Sequence, residues 1–266
     1  LGLTRKNLIV REWISLFLLA PFKAFKRTPQ EKMYIVEADC DRPKEGKFLA
    51  SFLQPEVTLW LSSSLTHSAN FDFLVKKGKF PSVEKAIAYE FGYFLQYARK
   101  LAIINDDSLL IREQLKRAQA EVQKVTIKGL QGYKIYENRT EFYSRDKKYS
   151  INFVVPKDIS YSIQMTFALL DYLKIKPDYT FSKFSLAPGR CSLFKGIKNT
   201  TIIDSTYNAT PDGARIILEM FDEYPSKNKW IVLGDMIELG DEEINEHEKL
   251  ANILNSMKSS RQLGFR

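Results

Sequence analysis

The order in which apolar runs alternate along the first hundred residues constrains this chain more than any other feature. "MYIVEAD", from Met33, reads as a buried strand whose acids, Glu37 and Asp39, begin where the strand ends. "EGKFLASFLQ" has helical spacing, "VTLWLSSS" is a second strand, "SVEKAIAYEFGYFLQYARK" a second helix, and "LAIINDD" a third strand ending in Asn105, Asp106 and Asp107. Strand, helix, strand, helix, strand is the signature of a parallel α/β sheet, because parallel strands need a long crossover to return to the same end. Ligands of such sheets bind beyond the carboxyl ends of the strands. The acids, His67 and Asn105 are expected to converge there.

The pattern then changes. From about Val125 to Val155 it alternates, as in "GYKIYENRTEFYSRDKKYSINFVV", which predicts a small antiparallel hairpin or meander. A helix follows in "SYSIQMTFALLDYLKI" and breaks at "KPDYT". After "FSLAPGRCSLFKGI", a fresh strand-turn-helix-strand order begins with "TTIIDSTYN" and ends with "KWIVLGDM". A length of 266 residues suits two domains of ordinary size. The boundary is expected near residue 184, giving domains of 1–184 and 185–266.

Charge and cysteine usage narrow the function classes. The net charge is +8, but the lysines lie among acids and form no long basic stripe, so no nucleic-acid partner is expected. A basic surface does suit a polyanionic substrate. Two cysteines, Cys40 and Cys191, are too few for a disulfide framework or a zinc cluster, and both are expected to be buried thiols in a reducing, cytoplasmic setting. The apolar run "WISLFLLAPFKAF" is interrupted by Pro21 and Lys23 and falls short of the roughly 20 residues that span a bilayer. It reads as a core helix or a surface-lying segment, with no stable membrane insertion. No small-residue cleavage site follows it, so it is no signal peptide, and a first residue of Leu suggests a fragment.

Several residues could carry chemistry, and each has an ordinary structural reading beside it. Glu37 and His67 suit a hard metal held with nucleotide phosphates, or a helix-capping acid and a surface histidine. Asn105 offers both a donor and an acceptor to an adenine edge, or caps a turn after its strand. Arg190, in "APGR", follows a tight turn and is suited to gripping phosphate or carboxylate. Tyr207 and Asn208 sit at the turn after "TTIIDS", and Gly234 and Asp235 close another apolar strand in "LGDMIELG".

Taken in order, "VEAD", "THS", "IINDD", "APGR", "IIDSTYNATPDGA" and "VLGDMIELG" resemble the Mur ligase family over about Met33 to Leu250. The run from Pro188 to Gly240 is the specific part. The resemblance is to the members that add D-alanyl-D-alanine to UDP-MurNAc-tripeptide. It implies a central parallel-sheet ATPase-like domain followed by a partial Rossmann-like C-terminal ligase domain. ATP and Mg²⁺ are the implied cofactors, and a substrate carboxylate becomes an acyl phosphate that an incoming amine attacks. By the same resemblance Glu37 and His67 are Mg²⁺ ligands and, with Arg190, the catalytic set. Asn105 lies against adenine, Arg190 on phosphate, and Asp204, Tyr207 and Asn208 form the nucleotide face of the C-terminal domain. UDP-MurNAc-peptide and D-Ala-D-Ala are the implied partners.

The chain departs from the family at defined places. No glycine-rich loop ending in Gly-Lys-Ser/Thr occurs, and the family carries that loop upstream of "VEAD". A missing N-terminal segment is therefore expected, the end soon after His247 implies a shortened C-terminal domain, and the chain is expected to be inactive by itself. Phe91 stands where the family has a carbamylated lysine, Tyr93 stands at an acidic position, and "PKDISYS" replaces a Gly-x-His-Asn element. One acid, Asp204, precedes "STYN" where two are usual. These departures keep two further readings open: a folyl-polyglutamate or cyanophycin-type ligase, and a nucleotide-binding or regulatory relative that has lost turnover.

Overall fold

The computed structural model of the chain describes residues 10–24, 33–257 and 260–264. The chain divides into two compact units, Leu1–Ala38 and Asp39–Arg266. In the first, helix α1 (Val10–Ala24) forms over the apolar run as expected, with Pro21 inside it. No helix among the described residues is long and apolar enough to cross a membrane.

"MYIVEAD" corrects the sequence reading. Met33–Val36 form no strand, and all four side chains are exposed, Tyr34 at 86% and Ile35 at 79%. An apolar run becomes a buried strand only when a neighbouring strand takes its N–H and C=O groups. Among the described residues none pairs with it.

The second unit builds the predicted crossover. It runs through α2 (Glu45–Leu53), β1 (Val57–Trp60), α3 (Asp72–Lys76), α4 (Val83–Tyr97), β2 (Leu101–Asn105), α5 (Leu109–Gln114) and β3 (Glu121–Val125). The three strands pair in parallel in the order β1-β2-β3, with Val57 opposite Leu101 and Leu101 opposite Glu121. Ser82 caps α4 by accepting the Lys85 N–H, and Ser108 caps α5 by accepting that of Ile111. Every residue of β2 is buried, because both faces of the sheet are covered. Ala102 and Ile104 pack with Leu95 of α4 and Ile111 of α5. Leu101 and Ile103 pack with Met165 and Ala168 of α6 (Ile159–Leu173).

Between β3 and α6 lies the expected meander: β4 (Leu130–Ile135), β5 (Thr140–Ser144) and β6 (Lys147–Ile151), all antiparallel. The C-terminal part contains β7 (Ser192–Lys195), β8 (Thr201–Asp204), α7 (Pro211–Glu223), β9 (Lys229–Leu233), α8 (Glu243–Ser256) and β10 (Ser260–Gly264). The fresh strand-turn-helix-strand order is present as β8, α7 and β9. β8 pairs antiparallel with β7, and β9 pairs in parallel with β10. Thr210 caps α7 by accepting the Gly213 N–H, with Pro211 in the first turn, where a missing N–H costs nothing.

One apolar cluster joins early and late parts of this unit. Leu65, Phe71, Leu74, Val83, Ala86 and Ile87 pack with Leu218, Ile231, Met236, Leu239 and Leu250. Cys40 and Cys191 are free and buried, as expected. Burial pushes the Cys40 thiol up to about 12 and that of Cys191 to about 11, so neither is a nucleophile at neutral pH.

Candidate cation and nucleotide site

Beyond the carboxyl ends of β1 and β2, Asn105 ties the two strand ends together. Its Nδ2 donates to the Leu61 carbonyl at 2.9 Å, and its Oδ1 accepts the Asp107 N–H at 3.0 Å. Asp107 in turn accepts the Ile127 N–H and the Tyr161 hydroxyl, which fixes the loop against β3 and α6. Asn105 therefore shapes the ligand edge of the sheet, and among the described residues its carboxamide keeps one hydrogen and one lone pair unspent.

His67 sits in the loop after β1 in a left-handed conformation, φ 48°. Its Nε2 lies 3.2 Å from Asp41 Oδ1 and 3.8 Å from Asp39 Oδ2, and its Nδ1 lies 2.6 Å from Glu238 Oε2. The ligand atoms of Asp39, Asp41 and His67 all lie within 4.8 Å of one another. Glu37 belongs to the first unit and is exposed. Within the second unit the acids that meet His67 are Asp39, Asp41 and Glu238. The sequence reading noticed Asp39 as a strand-end acid and passed over Asp41 two residues on. Glu238 stood in the quoted "LGDMIELG", but nothing local to that motif points across the chain to His67.

The turn from Ala187 to Arg190 meets the turn after β8. Gly189 has φ 74°, and a Cβ there would lie 3.1 Å from the Tyr207 nitrogen, so only glycine fits without displacement. Its carbonyl accepts the Tyr207 N–H at 3.1 Å, and the Arg190 guanidinium lies over the Tyr207 ring at 4.2 Å. Asp204 Oδ1 accepts both the N–H and the hydroxyl of Thr206, and Asn208 Oδ1 accepts the Ala209 N–H. Arg190 and Tyr207 are thus brought together, while Asp204 and Asn208 shape their own turns.

Phe91 and Tyr93 stand on α4. Phe91 packs against Trp60, ring centroids 6.2 Å apart, between two apolar clusters. Tyr93 and Tyr89 flank the Arg117 guanidinium at 4.2 and 4.3 Å, and Arg117 also donates to the Tyr89 carbonyl. The hydrogen bond between the two tyrosine hydroxyls, with burial behind it, pushes Tyr93 up to about 12. A cleft of about 280 Å³ opens beside Ser63, Glu84, Asp212, Arg215, Glu246 and Lys249, where the loop after β1 faces α7 and α8.

The comparisons with known proteins bear on both parts of this arrangement. Residues 189–261 match the family described as "Mur ligase, glutamate ligase domain". The MurF ligase of Thermotoga maritima, solved in complex with ADP, has the same fold with a TM-score of 0.74 at 20% identity, over 92% of this chain and 57% of that one. MurF from Acinetobacter baumannii superposes with a TM-score of 0.68 at 17% identity, over 85% of this chain and 50% of that one. The UDP-N-acetylmuramoyl-tripeptide--D-alanyl-D-alanine ligase of Mycobacterium bovis is 35% identical over 66 residues, which are 23% of this chain and 13% of that protein. The resemblance read from "APGR" to "LGDMIELG" therefore holds.

Proposed function

We propose that the chain is part of an ATP-dependent carboxylate-amine ligase of peptidoglycan precursor synthesis, acting in the cytoplasm, that adds D-Ala-D-Ala to UDP-MurNAc-tripeptide. The observation that carries this reading is the Mur ligase segment at 189–261, together with the acids gathered around His67. In this reading residues 1–184 form the central domain and 185–266 the C-terminal domain.

The donor set suits Mg²⁺, a hard cation that takes carboxylate oxygens, which Asp39 and Asp41 supply beside His67. When bound, the ion would neutralise charge on the phosphoryl group in transfer. His67 remains a proposed ligand, now joined by Asp39 and Asp41, and Glu37 keeps its proposed role from the resemblance alone. Arg190, whose guanidinium lies over the Tyr207 ring, offers a planar cation to phosphate. Asn105 presents its unspent hydrogen and lone pair to adenine, and Asp204 and Asn208 hold the turn that carries Tyr207. The chemistry balances in two displacements. A carboxylate oxygen of the tripeptide attacks the γ-phosphorus and ADP leaves. The amine nitrogen of D-Ala-D-Ala then attacks the acyl carbon, phosphate leaves, and the nitrogen loses its proton.

The test is phosphate release by the product of the complete open reading frame with Mg-ATP, UDP-MurNAc-tripeptide and D-Ala-D-Ala. Release that requires both substrates is expected. No release above background at saturating Mg-ATP would favour the second reading, a nucleotide-binding relative without turnover. That reading is supported by Phe91, which puts an apolar ring between two apolar clusters where the resemblance expects a charged lysine derivative.

A further inference from the structure

The "LGDMIELG" turn is built with more care than a surface loop requires. The Met236 N–H donates to His247 Nε2 at 3.1 Å, and His247 Nδ1 is held by the Glu243 carbonyl at 2.8 Å. The Met236 and Leu239 side chains are buried in the cluster that includes Leu65, Phe71 and Leu74. Glu238 has φ 64° and Gly240 φ 60°. The Glu238 carbonyl accepts the Ala69 N–H, and the Asp241 N–H donates to Asp72. A Cβ on Gly240 would lie 2.7 Å from Ala69 Cα, so the two segments touch backbone to backbone. A non-glycine residue persists in the left-handed region only when its surroundings over-determine it. Here they aim the Glu238 carboxylate at His67.

That aim decides which ring nitrogen faces the cation site. A carboxylate accepts and cannot donate, so the 2.6 Å contact requires the hydrogen on Nδ1. Nε2 is then the nitrogen that faces Asp39 and Asp41, and a cation bound among them would take the place of the hydrogen it shares with Asp41. A carboxylate behind a histidine is the usual way in which a metal ligand is oriented and its tautomer fixed. We infer that Glu238 is the positioning residue of the cation site: it sets His67 for coordination only when the C-terminal turn is docked, so that docking and cation binding are coupled. The inference rests on the proposed role of His67 as a cation ligand.

Mn²⁺ titration by electron paramagnetic resonance, on the product of the complete open reading frame, tests it. Glu238→Gly removes the carboxylate and tolerates the left-handed backbone, and should weaken Mn²⁺ binding roughly 10- to 100-fold. Glu238→Gln, which can still accept from Nδ1, should lose less. In ¹⁵N-histidine spectra the His67 signal is assigned by its loss in His67→Ala and that of His247 by its loss in His247→Ala. In Glu238→Gly the His67 signal should leave its Nδ1–H signature while that of His247 stays. Asp241→Asn breaks the Lys76 ion pair, leaves Glu238 in place, and should bind Mn²⁺ like the parent. An equal loss in Asp241→Asn, or unchanged affinity and tautomer in Glu238→Gly, overturns the inference. His67→Ala separates the two ideas. If it loses Mn²⁺ while Glu238→Gly does not, only the positioning role fails; if it binds undiminished, the ligand reading falls and takes the positioning role with it.

Discussion

Arg190 finds its partner in a ring. The guanidinium rests on Tyr207, itself 62% exposed, so the pair is wet on one side and contributes about 0.5–1 kcal/mol to stability. A phosphate facing that cation would gain far more, because charge-assisted bonds to a bidentate guanidinium are the strong ones. Arg190→Met should therefore cost less than about 1 kcal/mol in urea unfolding while weakening ATP binding by about tenfold or more. Matching losses in both measurements would make the pair structural. Much of this cluster was legible in the sequence, since "APGR" and "STYN" each announce a turn. What pattern could not supply was that the two turns touch. The same limit hid Glu238, whose contact with His67 joins distant parts of the chain, and it hid the settled state of Asn105, which spends half its carboxamide on Leu61 and Asp107.

Among the elements, α2 and α4 show how one glycine sets a layer. A Cβ on Gly46 would lie 2.2 Å from the Glu90 carbonyl oxygen, an atom of the α4 backbone that cannot swing aside. Gly46→Ala should accordingly destabilise the chain by about 1–3 kcal/mol through overpacking, read as a lower denaturant midpoint. A gain in stability would mean that the helices part at little cost. The periodic patterns of α4 and α6 made these helices predictable, because each has a buried stripe against the sheet. β3 was missed for the opposite reason. It is an edge strand in which Val125 alone is fully buried, so its polar sequence carries little strand signal. Met33–Val36 failed in the other direction, with an apolar run that has no ladder partner among the described residues.

At the scale of the second unit, the cluster joining Leu65 and Ile87 to Leu218 and Leu250 predicts shared unfolding. Leu239, 2% exposed, stands where the segments meet. Leu239→Ala should cost about 2–5 kcal/mol, and hydrogen exchange should show amides of β2 and β9 losing protection by the same amount. Loss confined to β9 would mean that the C-terminal part opens alone.

The contact between Asp72 and Asp241 spans 169 residues. A ribosome adding about 5–20 residues per second needs roughly ten to thirty seconds to cover that distance. For most of that interval Phe71, Leu74 and Ile87 have been made while Ile231, Met236 and Leu239 have not. The nascent chain thus carries half a core, an apolar face of the kind that general chaperones hold, and His67 waits among its acids until Glu238 arrives.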